Sequence, residues 1–173
     1  MAILVCPLSR VTEVVKARGP SHVISLLDPH SQFPAPAARH LKVSMHDIVD
    51  ESPGWIAPAH EHMSEILAFV TTWERTAPIL IHCYAGISRS TATAFITACV
   101  HNPAVDEEEI AMALRAASHV AWPNRRIVAL ADAELGRNGR MTAAVDAIGP
   151  GLSWEEAGEN TPFELRALFE VGA

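Results

Sequence analysis

The sequence predicts an α/β fold: a single domain in which helices flank a mostly parallel central sheet. In the first half of the chain, short apolar runs alternate with helical patterns, as in chains that form parallel sheets. The second half carries helical patterns alone. The chain has 173 residues, 49% of them hydrophobic, which suits one domain with a substantial core.

Four segments are predicted as strands because they are short, apolar and rich in residues that favour sheets. Turn-forming or polar residues follow each of them. Parallel strands end at a common edge of the sheet, where α/β folds bind their ligands. Cys83 and Asp47 lie at two such ends. The predicted strands are residues 2–5, 22–27, 41–45 and 79–81.

The helices are predicted from apolar residues at helical spacing and from residues that begin or end a helix. Pro58 suits the first turn of one helix, and Asp106 suits the cap of another. Residues 31–38 and 46–57 are predicted as loops, and two weak helical patterns follow residue 136. The predicted helices are residues 10–18, 58–70, 91–100, 107–117 and 123–135.

Composition argues against several classes of protein. A net charge of −7 does not suit binding to nucleic acid or to an anionic membrane, and no apolar run is long enough to span a bilayer. Three cysteines and no secretory leader predict a cytoplasmic protein. Only two of the 13 basic residues are lysines, which favours a GC-rich genome such as a bacterial one. Nine histidines form no metal-binding motif, so neither metal nor cofactor is expected.

The segment His82-Cys83-Tyr84-Ala85-Gly86-Ile87-Ser88-Arg89-Ser90 joins a predicted strand to a predicted helix. Backbone N–H groups in such a turn can surround a phosphate, and Gly86 permits the conformation that the turn requires. Arg89 can bind two phosphate oxygens, and Cys83 as a thiolate can attack phosphorus. His82 and Ser90 are placed to hydrogen-bond around the thiol. The alternative is a buried core cysteine beside a surface arginine.

This segment resembles the active-site loop of the cysteine-dependent tyrosine and dual-specificity phosphatases. Val43-Ser44-Met45-His46-Asp47 resembles the strand and aspartate that precede the loop, and Trp122-Pro123-Asn124 resembles a downstream Pro-Asn turn. The resemblance implies a phosphatase-like domain over residues 1–136, followed by a helical extension over 137–173 that packs on the domain or trails from it.

The resemblance also implies a mechanism without a metal. Cys83 forms a phosphocysteine, while Arg89 and loop residues Tyr84, Ala85, Gly86, Ile87 and Ser88 hold the phosphate. An aspartic acid protonates the leaving oxygen and then activates water. We favour Asp47 for this role because it follows a predicted strand directly, and Asp50 and Glu51 remain alternatives. Asn124 is expected to stiffen the loop or to cap a helix.

The expected substrate is a phosphorylated protein or a small phosphate monoester. Residues 84–88 include no basic side chain, which disfavours phosphoinositides and favours a substrate with a single phosphate. Protein phosphotyrosine is the leading prediction, with phosphoserine and phosphothreonine left open. The alternatives are a phosphoprotein-binding module without turnover and a sulfur-transfer or arsenate-reducing enzyme.

Overall fold

Five strands form one sheet at the centre of the computed structural model, which describes residues 1–34, 36 and 38–170. The strands are β1 (Ala2–Pro7), β2 (His22–Leu27), β3 (Arg39–Ser44), β4 (Ile79–Cys83) and β5 (Phe163–Arg166). Their order is β3-β2-β4-β1-β5; the first four are parallel, and β5 runs antiparallel to β1. The predicted single-domain α/β fold with a mostly parallel sheet is confirmed.

Helices cover both faces of this sheet. Within the described residues they are α1 (Val11–Arg18), α2 (His60–Thr71), α3 (Arg89–His101), α4 (Glu107–Ala117), α5 (Arg125–Glu134), α6 (Arg140–Ala147) and α7 (Trp154–Ala157). None of these described helices has the length and apolar character needed to cross a bilayer.

The alternation of side chains along β1 separates two hydrophobic cores. Ile3 and Val5 belong to the larger core, which also contains apolar side chains of α2 to α6. Leu4 and Cys6 belong to a smaller core beneath α1. Because successive residues of a strand point to opposite faces, one short apolar strand serves both cores.

Helix α3 is buried almost from end to end, and it begins directly after the turn that follows β4. Two of its buried threonines are satisfied within the helix, since the hydroxyls of Thr93 and Thr97 donate to the carbonyls four residues earlier, at 2.9 and 2.7 Å. The sequence predicted this helix from residue 91. Its earlier start makes Arg89 the first helical residue.

Other departures from the prediction are local. A 3-10 turn, Leu8–Arg10, precedes α1, and α2 begins at His60 rather than at Pro58. The sequence pattern predicted only helices after residue 136, whereas the structure has α6, α7 and also β5 there. The division of the chain into residues 1–136 and 137–173 stays a prediction.

Candidate active site

Cys83 is the last residue of β4, and its side chain is 2% exposed. The N–H of Gly86 donates to its Sγ at 3.3 Å, and the hydroxyl of Ser90 lies 3.1 Å from the same atom. A sulfur anion at this position would therefore have two hydrogen-bond donors. The structure brings Cys83, Gly86 and Ser90 together as the sequence predicted, although His82 points elsewhere.

Residues 84–88, called the anion loop below, are held by their carbonyl oxygens. All five carbonyls accept a hydrogen bond from a group outside the loop. In a trans peptide the carbonyl and the following N–H point in opposite directions, so this pattern turns the N–H groups of residues 85–89 toward the inside of the loop. In chain order, the donors are Leu8 N, Asn160 N, Asn160 Nδ2, Trp122 N and Asn124 N, at 3.0, 2.9, 2.9, 2.9 and 3.4 Å.

Position 86 requires a glycine for two reasons, the conformation of its backbone and the lack of space for a side chain. Its φ of +74° lies in the left-handed region, and an added Cβ would lie 2.9 Å from Pro7 N and 3.0 Å from Cys6 C. Both neighbours are backbone atoms of β1, which cannot move aside easily. The anion loop therefore rests directly on the first strand.

Arg89 is a buried charge that makes its hydrogen bonds to the described residues through Nη1 alone. It is 3% exposed, and its Nη1 donates to Asp28 Oδ1 at 2.7 Å and to Met45 O at 2.6 Å. Its Nε is buried without a hydrogen-bond partner among the described residues and lies 3.9 Å from Asp47 Oδ2. An unpaired buried donor is costly, so an anion beside this guanidinium would satisfy it.

Asp28 is a site residue that the sequence pattern does not single out, because it is one of several polar or turn-forming residues that follow the predicted strands. The residue follows β2, at the same edge of the sheet as Cys83 and Asp47. A polar residue just after a parallel strand was the available signal.

The structure places Asp47, but neither alternative, against the anion loop. Asp47 Oδ1 accepts from Ser88 Oγ at 2.7 Å and from Asn124 Nδ2 at 2.8 Å, and a third of its side chain remains exposed. Asp50 is exposed, and Glu51 pairs with Arg126 at 2.8 Å. The carboxylate nearest to the loop is therefore the one that the sequence favoured.

Asn124 combines two of the expected roles. Its side-chain oxygen accepts from Ile127 N at 3.1 Å and so caps α5, while its amide group donates to Asp47. Its backbone N–H donates to Ser88 O in the anion loop. The contact of its side chain with the carboxylate was not expected.

His82 is fully buried, and its Nε2 lies 2.5 Å from Ser25 Oγ. That hydroxyl also lies 2.7 Å from His40 Nε2, which makes a chain of three side chains across β4, β2 and β3. Burial lowers the pKa of His82 to about 4, so the ring is neutral near neutral pH. His82 therefore braces the strand beside Cys83 without adding a positive charge.

A cavity of about 540 Å³ adjoins the anion loop. Ala85, Ile87 and Ser88 of the loop contribute to its wall, as does Asp47. Residues beyond the loop complete it: Val49, Trp122, Pro123, Asn124, Arg125, Ser153 and Trp154. A phosphate ester with its phosphate in the loop could extend its organic part into this space.

Asn160 ties the C-terminal part of the chain to the anion loop. Besides its two bonds to the loop, its amide group lies 3.1 Å from Ser118 Oγ, and the residue is 5% exposed. Nothing in the sequence singles out this asparagine, because a single Asn in a loop carries no recognisable pattern.

Replacing Asn160 by alanine should lower the free energy of unfolding by about 1–3 kcal/mol, because the buried Gly86 carbonyl and the Ser118 hydroxyl lose their partner. Chemical denaturation measures this difference. The neighbouring Glu159→Ala substitution, at an exposed residue, is the matched control and should change stability by less than ~0.5 kcal/mol. Equal losses for the two variants would mean that Asn160 does not secure the loop.

Known proteins resemble this chain in one segment of its sequence and in its fold. The family model for protein-tyrosine phosphatase matches residues 45–121, a segment that contains Asp47 and the anion loop. The crystal structure of DUSP15 matches with a TM-score of 0.57 at 18% identity, over 83% of this chain and 89% of that one. Tk-PTP in the active form matches with a TM-score of 0.57 at 19% identity, over 76% and 88%. PTPMT1 in complex with PI(5)P matches with a TM-score of 0.55 at 13% identity, over 82% and 88%.

No curated protein matches the chain. At the low identities of the solved structures, the likeness concerns the fold.

Proposed function

We propose that this chain belongs to the cysteine-dependent superfamily of tyrosine and dual-specificity phosphatases and that it hydrolyses phosphate monoesters through a phosphocysteine intermediate. One observation carries the proposal. The turn between β4 and α3 brings together a nucleophile and donors for an anion. These are Cys83 Sγ, the inward N–H groups of the anion loop and the buried Nε of Arg89.

The first chemical step is the attack of the Cys83 thiolate on phosphorus. The sulfur–phosphorus bond forms as the bond between phosphorus and the ester oxygen breaks, and Asp47 gives its proton to that oxygen. Arg89 and the loop N–H groups hold the three remaining phosphate oxygens, whose charge the transition state redistributes. The products of this step are a free alcohol or phenol and a phosphocysteine.

The second step releases phosphate. Asp47, now ionised, takes a proton from water as the water oxygen attacks phosphorus, and the sulfur leaves as a thiolate. The Ser90 hydroxyl, 3.1 Å from Sγ, can donate to the sulfur as its charge returns. Residues of this chain supply the nucleophile, the acid and the charge stabilisation, so the proposed reaction uses neither metal nor cofactor.

Protein phosphotyrosine is the proposed substrate, and phosphoserine and phosphothreonine are the alternatives. The side chains of the anion loop are uncharged, so the loop offers nothing to a second phosphate on the same molecule. PTPMT1 was solved with PI(5)P bound. For the present chain the neutral loop favours a singly phosphorylated protein over such a lipid.

Release of inorganic phosphate from para-nitrophenyl phosphate, followed without added metal and in the presence of a chelator, tests the proposal. Turnover by the wild-type chain is expected, and turnover of a phosphotyrosine peptide should accompany it. Binding of the peptide without phosphate release would instead identify a phosphoprotein-binding module. Thiocyanate formation from thiosulfate and cyanide, or reduction of arsenate, would indicate the remaining alternatives.

Replacing Asp47 by alanine should slow turnover on the order of 10²-fold when the leaving group is a poor one, such as tyrosine, because no acid then protonates the leaving oxygen. The loss should be much smaller for para-nitrophenol, which leaves readily as an anion. Steady-state kinetics on both substrates measure the difference.

Asp50→Ala is the matched control, because it removes a carboxylate three residues away that is exposed to solvent. It should leave both rates within about twofold of wild type. If Asp50→Ala shows the dependence on the leaving group and Asp47→Ala does not, the acid has been assigned to the wrong residue.

A further inference from the structure

Two exposed indole rings stand beside the anion loop. Trp122 is 42% exposed and Trp154 is 47% exposed, yet both contribute to the wall of the 540 Å³ cavity. Large aromatic side chains left half in solvent at the edge of a cavity are suited to contact a ligand. Trp154 also lies beside Tyr84 of the loop, with ring centroids 5.8 Å apart.

Trp154 belongs to a segment, residues 149–160, that is called the C-terminal arm below. The arm is fixed at three points. Arg115 Nη2 donates to Gly149 O at 2.8 Å, and Gly151 packs so tightly on Val120 and Ala121 that a Cβ there would lie 2.3 Å from Val120 O. Asn160 binds the anion loop at the other end of the arm.

Because the arm is anchored on both sides of Trp154, the indole has a defined position relative to the loop. Trp122 is fixed in a similar way, since its backbone N–H donates to Ile87 O at 2.9 Å. Both indole rings therefore belong to segments that contact the anion loop, whose five residues would hold the phosphate. A ligand whose phosphate lies in the loop would have its organic part between or against them.

The charges of the cavity wall favour an uncharged aromatic group over a polyphosphorylated one. Arg125 is the one basic residue among those that line it, and it pairs with Asp146 at 2.7 Å. The remaining wall residues are apolar or uncharged, apart from Asp47. Stacking against an indole favours a flat ring over a short alkyl chain.

We infer that Trp154, together with Trp122, forms a subsite for the aromatic ring of the leaving group, and that it makes the chain selective for phosphotyrosine over phosphoserine. The inference rests on the proposed function for its substrate class. It gives the C-terminal arm a role in substrate recognition, although the arm lies outside the segment that the family model matches.

The test compares kcat/KM for two peptides of identical sequence, one with phosphotyrosine and the other with phosphoserine. Trp154→Ala should lower kcat/KM for the phosphotyrosine peptide about five- to tenfold and change that for the phosphoserine peptide by less than about twofold. Trp154→Phe, which keeps a ring, should recover much of the loss. Met112→Ala, which shortens an exposed apolar side chain on α4, is the control and should alter neither value.

The binding of phosphonates tests the aromatic subsite independently of catalysis. Wild type should bind phenylphosphonate more tightly than methylphosphonate in calorimetry, and Trp154→Ala should reduce that difference about five- to tenfold. If wild type hydrolyses neither peptide, the proposed function fails, and the phosphonate comparison still decides whether the aromatic subsite exists.

Three results would overturn the inference. One is a Trp154→Ala variant with equal losses on the two peptides, and another is equal affinity of wild type for the two phosphonates. The third would come from vesicles of phosphatidylcholine that contain a phosphoinositide. If Trp154→Ala slows hydrolysis of the phosphoinositide but not hydrolysis of the phosphotyrosine peptide, the indole contacts lipid instead.

Discussion

Replacing Cys83 by serine is expected to reduce phosphate release from para-nitrophenyl phosphate on the order of 10⁴-fold or more. The serine hydroxyl occupies nearly the same space, but it does not ionise at neutral pH and is a far weaker nucleophile. The contacts that Gly86 N–H and Ser90 Oγ make with Sγ can be formed by an oxygen as well. Folding and phosphate binding should therefore survive the substitution, and only the chemistry should be lost.

Cys99→Ser provides the matched control for this experiment. Cys99 is buried in α3, and burial raises the pKa of its thiol, so it is not a competing nucleophile. The substitution should cost about 1–3 kcal/mol of stability, because a hydroxyl enters an apolar core. The rate of the folded protein should stay close to that of wild type. If Cys83→Ser retained the rate and Cys99→Ser lost it, the proposed nucleophile would be wrong.

Arg89→Lys should reduce kcat/KM on the order of 10³-fold. The guanidinium of Arg89 is held by Asp28 and by the Met45 carbonyl, and its free Nε lies on the side of Asp47. A lysine keeps the charge but presents a single ammonium group, which cannot bind the two oxygens of a phosphate and these two partners together. The loss should fall mainly on kcat, because the charge of the transition state is stabilised by the planar donors.

Arg137→Lys separates this effect from the general cost of changing a buried arginine. Arg137 is also largely buried, and it pairs with Glu107 at 2.9 Å, an ion pair of α4 outside the candidate site. Its substitution should lower stability and leave kcat/KM within about threefold of wild type. Equal losses of activity in both variants would mean that Arg89 acts through the fold alone.

The parts of the fold that could be predicted from the sequence are those determined by local pattern. The buried strands β1, β2 and β4 are continuous apolar runs, and α3 has an apolar periodicity that follows a strand directly. Strand β5 escaped prediction because it has only four residues at an edge, and its conformation depends on pairing with β1.

The residues of the candidate site likewise divide into those that a local pattern indicated and those that only the folded chain brings together. Cys83, Gly86 and Arg89 lie within seven consecutive positions of the chain, and their spacing together with the flanking strand and helix patterns indicated a phosphate loop. Asp28 and Asn160 could not be connected with that loop, because they are distant from it in the chain and reach it only through the order of the strands and the path of the arm. The roles of Asp47 and of the other site residues stay predictions that the experiments above address.

The anchoring of the anion loop has a consequence for the biogenesis of this protein. The groups that bind its five carbonyls come from Leu8, from residues 122 and 124, and from Asn160, which lies 74 positions after Gly86. During synthesis, the loop cannot acquire all of these contacts until residue 160 has left the ribosome. A chain interrupted before that position would carry the Cys83 thiol without a fully anchored anion loop.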